Sequence, residues 1–442
     1  MSVDLAKSQY AKYKTKPLES WKKAKELRDM TYREIAEARD SGKMIVTGGT
    51  EGFVALPAGI GEYVYLGGEP YGATVGSDPH FSQLAMEAWE NRGYARDMCS
   101  YMRNYLGSMF MNRYYFGGEF PKPTFSLQMN LCDSHAKWYQ IVSENYGIPY
   151  FSVELPLDLR KSSLELRRQY LVGQLQEAIE WMEKTFHKKY DDEKLVEAVI
   201  HEYDSSALWG EICLLNKAVP APLDIKAMFS LYVICVLIRH RKESADFYRE
   251  LKAEVEDRIR DGIAALATER CRILDDSQPM WPFLNMYRHM EKYGAVTIGS
   301  LYVFSLSGNY DERPEDGVWV LKESLQKRNK VPKTREDALN VIAELYLERP
   351  INRAVYLPQL KNPMMVMLAK EYKAQGVTIH LNRGCELTSI GVMENRLALQ
   401  NAGIPVMTYE GNMADKREID ERQILDRLDS FMENLGLQKI VP

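Results

Sequence analysis

A pattern that occurs twice constrains this sequence more than any other feature. Residues 125–154 read FSLQMNLCDSHAKWYQIVSENYGIPYFSVE, and residues 377–410 read VTIHLNRGCELTSIGVMENRLALQNAGIPVMTYE. Each stretch has a β-rich run, a cysteine, an amphipathic helical segment, the turn GIP, and a second β-rich run closing on glutamate. The string GIP-x-x-x-x-E spans Gly147–Glu154 and Gly403–Glu410 without a gap. Strand, helix and strand in succession form the unit of a parallel α/β sheet, so two such sheets are expected. Any two units of this kind share the outline. A cysteine in the same slot of both does not follow from the outline alone.

The rest of the chain can be divided around these two units. Its 442 residues, 45% hydrophobic and 27% charged, exceed what one small core organises. From Pro17 to about Asp40 the spacing is helical and rich in charge, and MIVTG at Met44–Gly48 reads as a strand. Long stretches such as LELRRQYLVGQLQEAIEWMEKTF then carry apolar residues at three and four spacing with almost no strand signal. Within them AMFSLYVICVLI, Ala227–Ile238, falls short of the roughly 20 residues a membrane span requires and reads as a buried core helix. The charge run RHRKE, Arg239–Glu243, reads as a solvated face. Strand signals return in GAVTIGSLYVFS and GVTIHLN, with a helix over Arg335–Leu347. The expected fold is therefore α/β: two Rossmann- or flavodoxin-like parallel-sheet domains joined by a helical segment, with an N-terminal helical arm. The arm covers 1–42, the first α/β domain 43–156 with Cys99 and Cys132, the helical segment 157–280, and the second α/β domain 281–442 with Cys385.

Charge and cysteine usage narrow the chemistry. The balance of 57 − 62 = −5 offers no basic field for nucleic acid or an anionic membrane. The opening MSVDLAKSQYAKYKTK leads into no apolar signal region, so a cytoplasmic location is expected. Six cysteines in a reducing compartment are not a disulfide framework; each is a buried thiol, a metal ligand or a nucleophile. Cys132 and Cys385 follow strands and precede helices, where ligands of parallel sheets bind, and Cys99 precedes another helix with Asp97 and Ser100 as candidate caps. Helix N-termini favour anionic sulfur, so lowered thiol pKa values are expected there. Cys213, Cys235 and Cys271 sit in apolar or helical text, where cysteine behaves as a small buried hydrophobe. The separations 132 − 99 = 33 and 385 − 132 = 253 match no local zinc or ferredoxin spacing. Position alone thus fits three unrelated loop thiols as well as one shared site.

Other chemistries lack their signatures. GIGEYV at Gly59 has Val64 where a dinucleotide fingerprint needs its third glycine, and there is no Walker-A string. The seven histidines form no HExxH string. His135 and His380 lie within five residues of Cys132 and Cys385 and could reach that region as proton donors, although structural roles are the commoner fate of such residues. The 27 tyrosines could line a pocket for an aryl ring but single out no ligand.

The segments GGEPYGA, MCSYMRN and NLCDSHAKWY, with HLNRGCE, GIPVMTYEGNMADKRE and QILDRLDSFMENLG near the C-terminus, resemble the benzoyl-CoA reductase and 2-hydroxyacyl-CoA dehydratase family. The likeness runs from about Gly48 to the C-terminus and is weakest in the helical middle. It implies that Cys99, Cys132 and Cys385 hold a [4Fe-4S] cluster and that the substrate is an acyl-CoA. It also implies a related cluster-bearing sister subunit and separate activator subunits that bind ATP and Mg, which accounts for the missing phosphate loop. Pro57, Glu62 and Glu69 are out of register with the family's first proline and glutamate and receive no role. The wording of GEPYGATVGSDPHF and YARDMCSYMRNYLG is closer to the larger cluster-bearing subunit of the reductase, so ATP-driven reduction of benzoyl-CoA to a cyclic dienoyl-CoA is the expected reaction. Radical dehydration of a 2-hydroxyacyl-CoA, an electron-relay or scaffold subunit, and a structural metal protein are the alternatives.

Overall fold

The computed structural model describes residues 9–50, 52–156, 162–312, 319–353 and 357–440. The first eight residues of the polar opening stretch lie outside the described residues. Two four-stranded sheets carry the architecture. The first contains β1 (Met44–Gly48), β2 (Tyr63–Gly67), β3 (Phe125–Asn130) and β4 (Tyr150–Glu154), all parallel, in the order β2-β1-β3-β4. The second contains β5 (Cys271–Asp276), β6 (Ala295–Ser300), β7 (Gly376–Asn382) and β8 (Val406–Gly411), also parallel, in the order β6-β5-β7-β8. Numbered along the chain, both sheets run second, first, third, fourth. The likeness seen in 125–154 and 377–410 therefore extends to whole sheets. In this order the winding reverses between the first and third strands, and the crevice beyond their carboxyl ends is where such sheets bind ligands.

The GIP turns have a local cause. Gly147 closes the helix Asp133–Tyr146 in the left-handed region with φ 62°, and Gly403 has φ 77° at the corresponding turn. A residue with a Cβ is strained there, and the proline two residues on cannot continue a helix. Both segments are thereby returned to the sheet as a parallel neighbour.

In the first half the helices are α1 (Ser20–Glu37), α2 (Gly68–Gly76), α3 (Pro79–Glu90), α4 (Ser100–Phe110) and α5 (Asp133–Tyr146). The middle is helical as expected: α6 (Leu164–Phe186), α7 (Asp192–Leu215), α8 (Ile225–Ile238) and α9 (Lys242–Arg260). Because α8 is apolar on every face it is buried almost throughout, with α1 and α9 packed against it. In the second half lie α10 (Arg335–Glu348), α11 (Pro358–Glu371), α12 (Glu386–Ser389), α13 (Val392–Asn401) and α14 (Glu421–Asn434), with shorter turns between. A single apolar cluster runs through both halves, from Tyr71, Tyr105 and Trp138 to Met280, Tyr302 and Val377. Among the described residues no helix is long and apolar enough to cross a membrane.

Three sequence expectations are corrected. Cys271–Asp276, placed in the helical segment, is the first strand of the second sheet, with all six residues buried. LYVFS, read as strand, is a short helix over Leu301–Ser305, started by the Ser300 hydroxyl, which accepts the Val303 N–H at 3.2 Å. RHRKE is solvated only in part: Lys242 and Glu243 are exposed, but Arg239 is 1% exposed and His240 8%.

Candidate functional site

Cys132 lies two residues beyond β3 and is the N-cap of α5; Cys385 lies three beyond β7 and is the N-cap of α12; Cys99 is the N-cap of α4. None of the three caps its helix through its side chain, and neither Asp97 nor Ser100 caps α4. Instead the thiols, two from the first half and one from the second, lie within one another's electrostatic field. The loop before Cys385 meets the start of α4 so closely that a Cβ on Gly384 would lie 2.9 Å from Ser100 Oγ. Electrostatically the sulfurs form one group: Cys385 raises the thiol of Cys99, and Cys385 and Cys99 both raise that of Cys132. Among the described residues no three His, Cys, Asp or Glu form the cage of a single ion. A four-iron cluster places each ligand sulfur on a different iron, so its ligands stand farther apart than those of one ion.

The protonation of Cys99 and Cys132 runs opposite to the helix-dipole expectation. Burial drives Cys99 up to about 12, the nearby Cys385 adds to this, and the N–H groups of Met102 and Tyr101 only partly oppose it. Burial raises Cys132 as well, against the N–H of His135. Desolvation therefore outweighs the oriented backbone at both positions. Thiolates here require a cation, and a coordinated metal deprotonates a thiol outright. Three half-buried thiols, each supplied with hydrogen-bond donors but short of positive charge, fit an iron–sulfur cluster.

Beside the thiols stands an acid–base pair that the sequence did not disclose. His135 Nε2 bonds to the carboxylate of Glu69, which begins α2, and the Thr50 N–H donates to Glu69 Oε2 at 2.8 Å. Burial alone would push Glu69 up, but its interaction and hydrogen bond with His135 and the backbone donors hold it below the usual carboxylate range. Arg239 fixes this arrangement from below. Its guanidinium donates to Thr50 O (2.8 Å) and Gly52 O (3.2 Å) while paired with buried Glu202 at 2.7 Å. Glu69 and His135 are 66 residues apart in sequence, and nothing in the linear text joins them.

Aromatic residues close the remaining side. Tyr101, Tyr232 and Tyr302 are buried, and both Tyr101 and Tyr302 lie in the field of Cys385. Trp281 Nε1 donates to Tyr101 Oη at 2.6 Å, joining the halves again. His380 is not a proton donor to the site. It is stacked on Tyr409, bonded through Nδ1 to Gln278 O at 2.8 Å, and kept neutral by burial, which lowers it to about 4. Cys213, Cys235 and Cys271 are buried in apolar surroundings away from this group.

Two topologically equivalent parallel α/β halves define the class of this protein by its fold. The profile of 2-hydroxyglutaryl-CoA dehydratase, D-component, matches residues 63–435, and the chain belongs to that family. It is 25% identical to the (R)-2-hydroxyisocaproyl-CoA dehydratase alpha subunit of Clostridioides difficile over 80% of this chain and 81% of that one. It is 25% identical to the (R)-phenyllactyl-CoA dehydratase alpha subunit of Clostridium sporogenes, over 81% of each chain. A subunit of the benzoyl-CoA reductase of Thauera aromatica is 22% identical over 79% of both chains. These relatives are subunits of multi-subunit enzymes acting on CoA esters.

Proposed function

We propose that this chain is a cluster-bearing subunit of an enzyme that removes water from a 2-hydroxyacyl-CoA, with Cys99, Cys132 and Cys385 as the ligands of a [4Fe-4S] cluster. The observation that carries this reading is the convergence of three thiols from both α/β halves. When bound through three protein thiolates, such a cluster supplies low-potential electron transfer at an iron that has no protein sulfur. The chain's own residues then have to manage protons. Loss of water takes a proton from carbon and returns it to the departing hydroxide, with no net proton uptake. Glu69, held ionised and largely enclosed, is set to accept that proton and return it to the departing hydroxide, while the bond from His135 holds the carboxylate in place. The buried tyrosines and the shared apolar core keep solvent from the pair.

Benzoyl-CoA reduction is the second reading, supported by the Thauera relative and by the wording of the first domain. It would consume protons, which an enclosed, ionised carboxylate supplies less readily. In either case the chain works in the cytoplasm with a related sister subunit, and separate ATP- and Mg-binding activator subunits deliver the electron.

Given MgATP, reductant and its co-purifying subunits, the complex is expected to dehydrate a 2-hydroxyacyl-CoA under anaerobic conditions. Turnover of benzoyl-CoA alone would establish the second reading. Glu69→Gln is expected to lower the turnover rate by about 10²-fold or more, the usual range for losing a positioned acid–base group, with iron content unchanged. Retention of full activity would remove Glu69 from proton transfer.

A further inference from the structure

Gln278 lies two residues beyond β5, at the switch point of the second sheet, and its Nε2 is 3.3 Å from Cys385 Sγ. Its neighbours decide which end of the amide faces the sulfur. Asn382 Oδ1 accepts the N–H groups of Gly384 (3.0 Å) and Met413 (3.2 Å), so Asn382 Nδ2 must point the other way. That nitrogen donates to Gln278 Oε1 at 3.0 Å, and Thr388 Oγ1 donates to the same oxygen at 2.6 Å. An atom receiving these donors is the amide oxygen, which leaves the NH2 group toward Cys385. The frame is rigid: Gln278, Asn382 and Thr388 are 6%, 2% and 4% exposed, and His380 holds the Gln278 carbonyl. The loop of Thr388 is held in turn by Lys361, which donates to Thr388 O at 3.2 Å and pairs with buried Asp276 at 3.1 Å. Cys99 and Cys132, by contrast, take backbone N–H groups.

We propose that Gln278 tunes the cluster through Cys385: its N–H withdraws charge from the sulfur and makes the cluster easier to reduce than it would be with that sulfur bare. The inference rests on the three cysteines holding a cluster. A hydrogen bond to a ligand sulfur stabilises the more negative, reduced state, and donors to sulfur are among the determinants of cluster potential. Gln278 is a positioning residue in this role and touches no substrate.

The test uses the full chain purified anaerobically with its partner subunits, and reads the cluster's midpoint potential by spectroelectrochemistry. Gln278→Leu removes the donor, and Gln278→Glu replaces it with a group that accepts but does not donate when ionised. Asn382→Asp keeps both backbone bonds of Asn382 yet removes its donor to Gln278, freeing the amide to turn. With iron content unchanged, Gln278→Leu is expected to shift the one-electron equilibrium about tenfold toward the oxidised cluster, about 59 mV more negative. Gln278→Glu should shift it further, and Asn382→Asp by less. An unchanged potential in Gln278→Leu overturns the proposal. Should that variant lose iron, Asn382→Asp decides: a lowered potential supports the proposal and an unchanged one overturns it. A parent protein that carries no iron–sulfur cluster overturns the reading underneath, a result distinct from a clustered parent with indifferent variants.

Discussion

Alanine at Cys99, Cys132 or Cys385 is expected to strip the anaerobically purified protein of iron and acid-labile sulfide, whereas alanine at Cys213, Cys235 or Cys271 leaves both in place. The partition follows from position. The first three residues are helix N-caps, and Cys385 acts on the thiols of both Cys99 and Cys132; the other three are packed in apolar interior. Loss should be complete at each proposed ligand because two thiolates alone would hold the cluster poorly, and burial disfavours a lone thiolate. The second set carries a different penalty. Emptying a buried sulfur leaves a small cavity, so Cys213→Ala and Cys235→Ala should lower the unfolding midpoint while the iron-to-protein ratio stays that of the parent. Iron and sulfide analysis with thermal unfolding separates the two outcomes. Equal iron loss from both sets would show that the thiols near the switch points are not the ligands.

Much of this architecture was legible because it rests on local chemistry that repeats. The GIP glycines need a left-handed backbone, and the runs around Cys132 and Cys385 carry the strand–helix–strand period, so two equivalent parallel units could be read without coordinates. The strand Cys271–Asp276 escaped because CRILDD is charged where a central strand is normally apolar. Its carboxylates are buried but partnered: Asp275 by Thr378 and Tyr287, Asp276 by Lys361 and Asn395. The same reason hid Arg239, whose buried charge is matched by Glu202, a residue 37 positions away. Glu69 and His135 are a pair only in space, and Gln278 has no marker at all in the linear text. The thiol pKa values inverted because helix polarity is visible in sequence and burial is not; at Cys99 and Cys132 the second effect is the larger.

Asp415→Asn is expected to destabilise the protein by about 3–5 kcal/mol, the range found when one partner of a buried ion pair is removed. Asp415 follows β8 in the second half and is 1% exposed, and its side chain reaches Arg103 on α4, whose side chain is fully buried, at 2.9 Å. Arg103 also donates from Nε to Met98 O at 3.0 Å, which fixes the residue before Cys99. The pair therefore ties the two halves together one helical turn from a proposed ligand. Arg417 joins it, donating to both Asp415 oxygens at 2.9 and 2.8 Å. The asparagine can still accept from Arg103, but the buried guanidinium is left with Glu90 at 3.9 Å as its nearest other carboxylate. The pH dependence should show the same residue. Burial acts to raise Asp415, yet its bonds to Arg417 and the charges of Arg103 and Arg417 carry it below the usual carboxylate value. A depressed folded pKa gives stability that is fully present above the unfolded value, ~3.9, and is lost as the pH falls through the folded one. Denaturant titrations of the parent should thus steepen in their loss of stability below about pH 4, and those of Asp415→Asn should be flatter there while lying lower at neutral pH. A variant as stable as the parent at pH 7 would show that the interdomain pair does not hold the halves together.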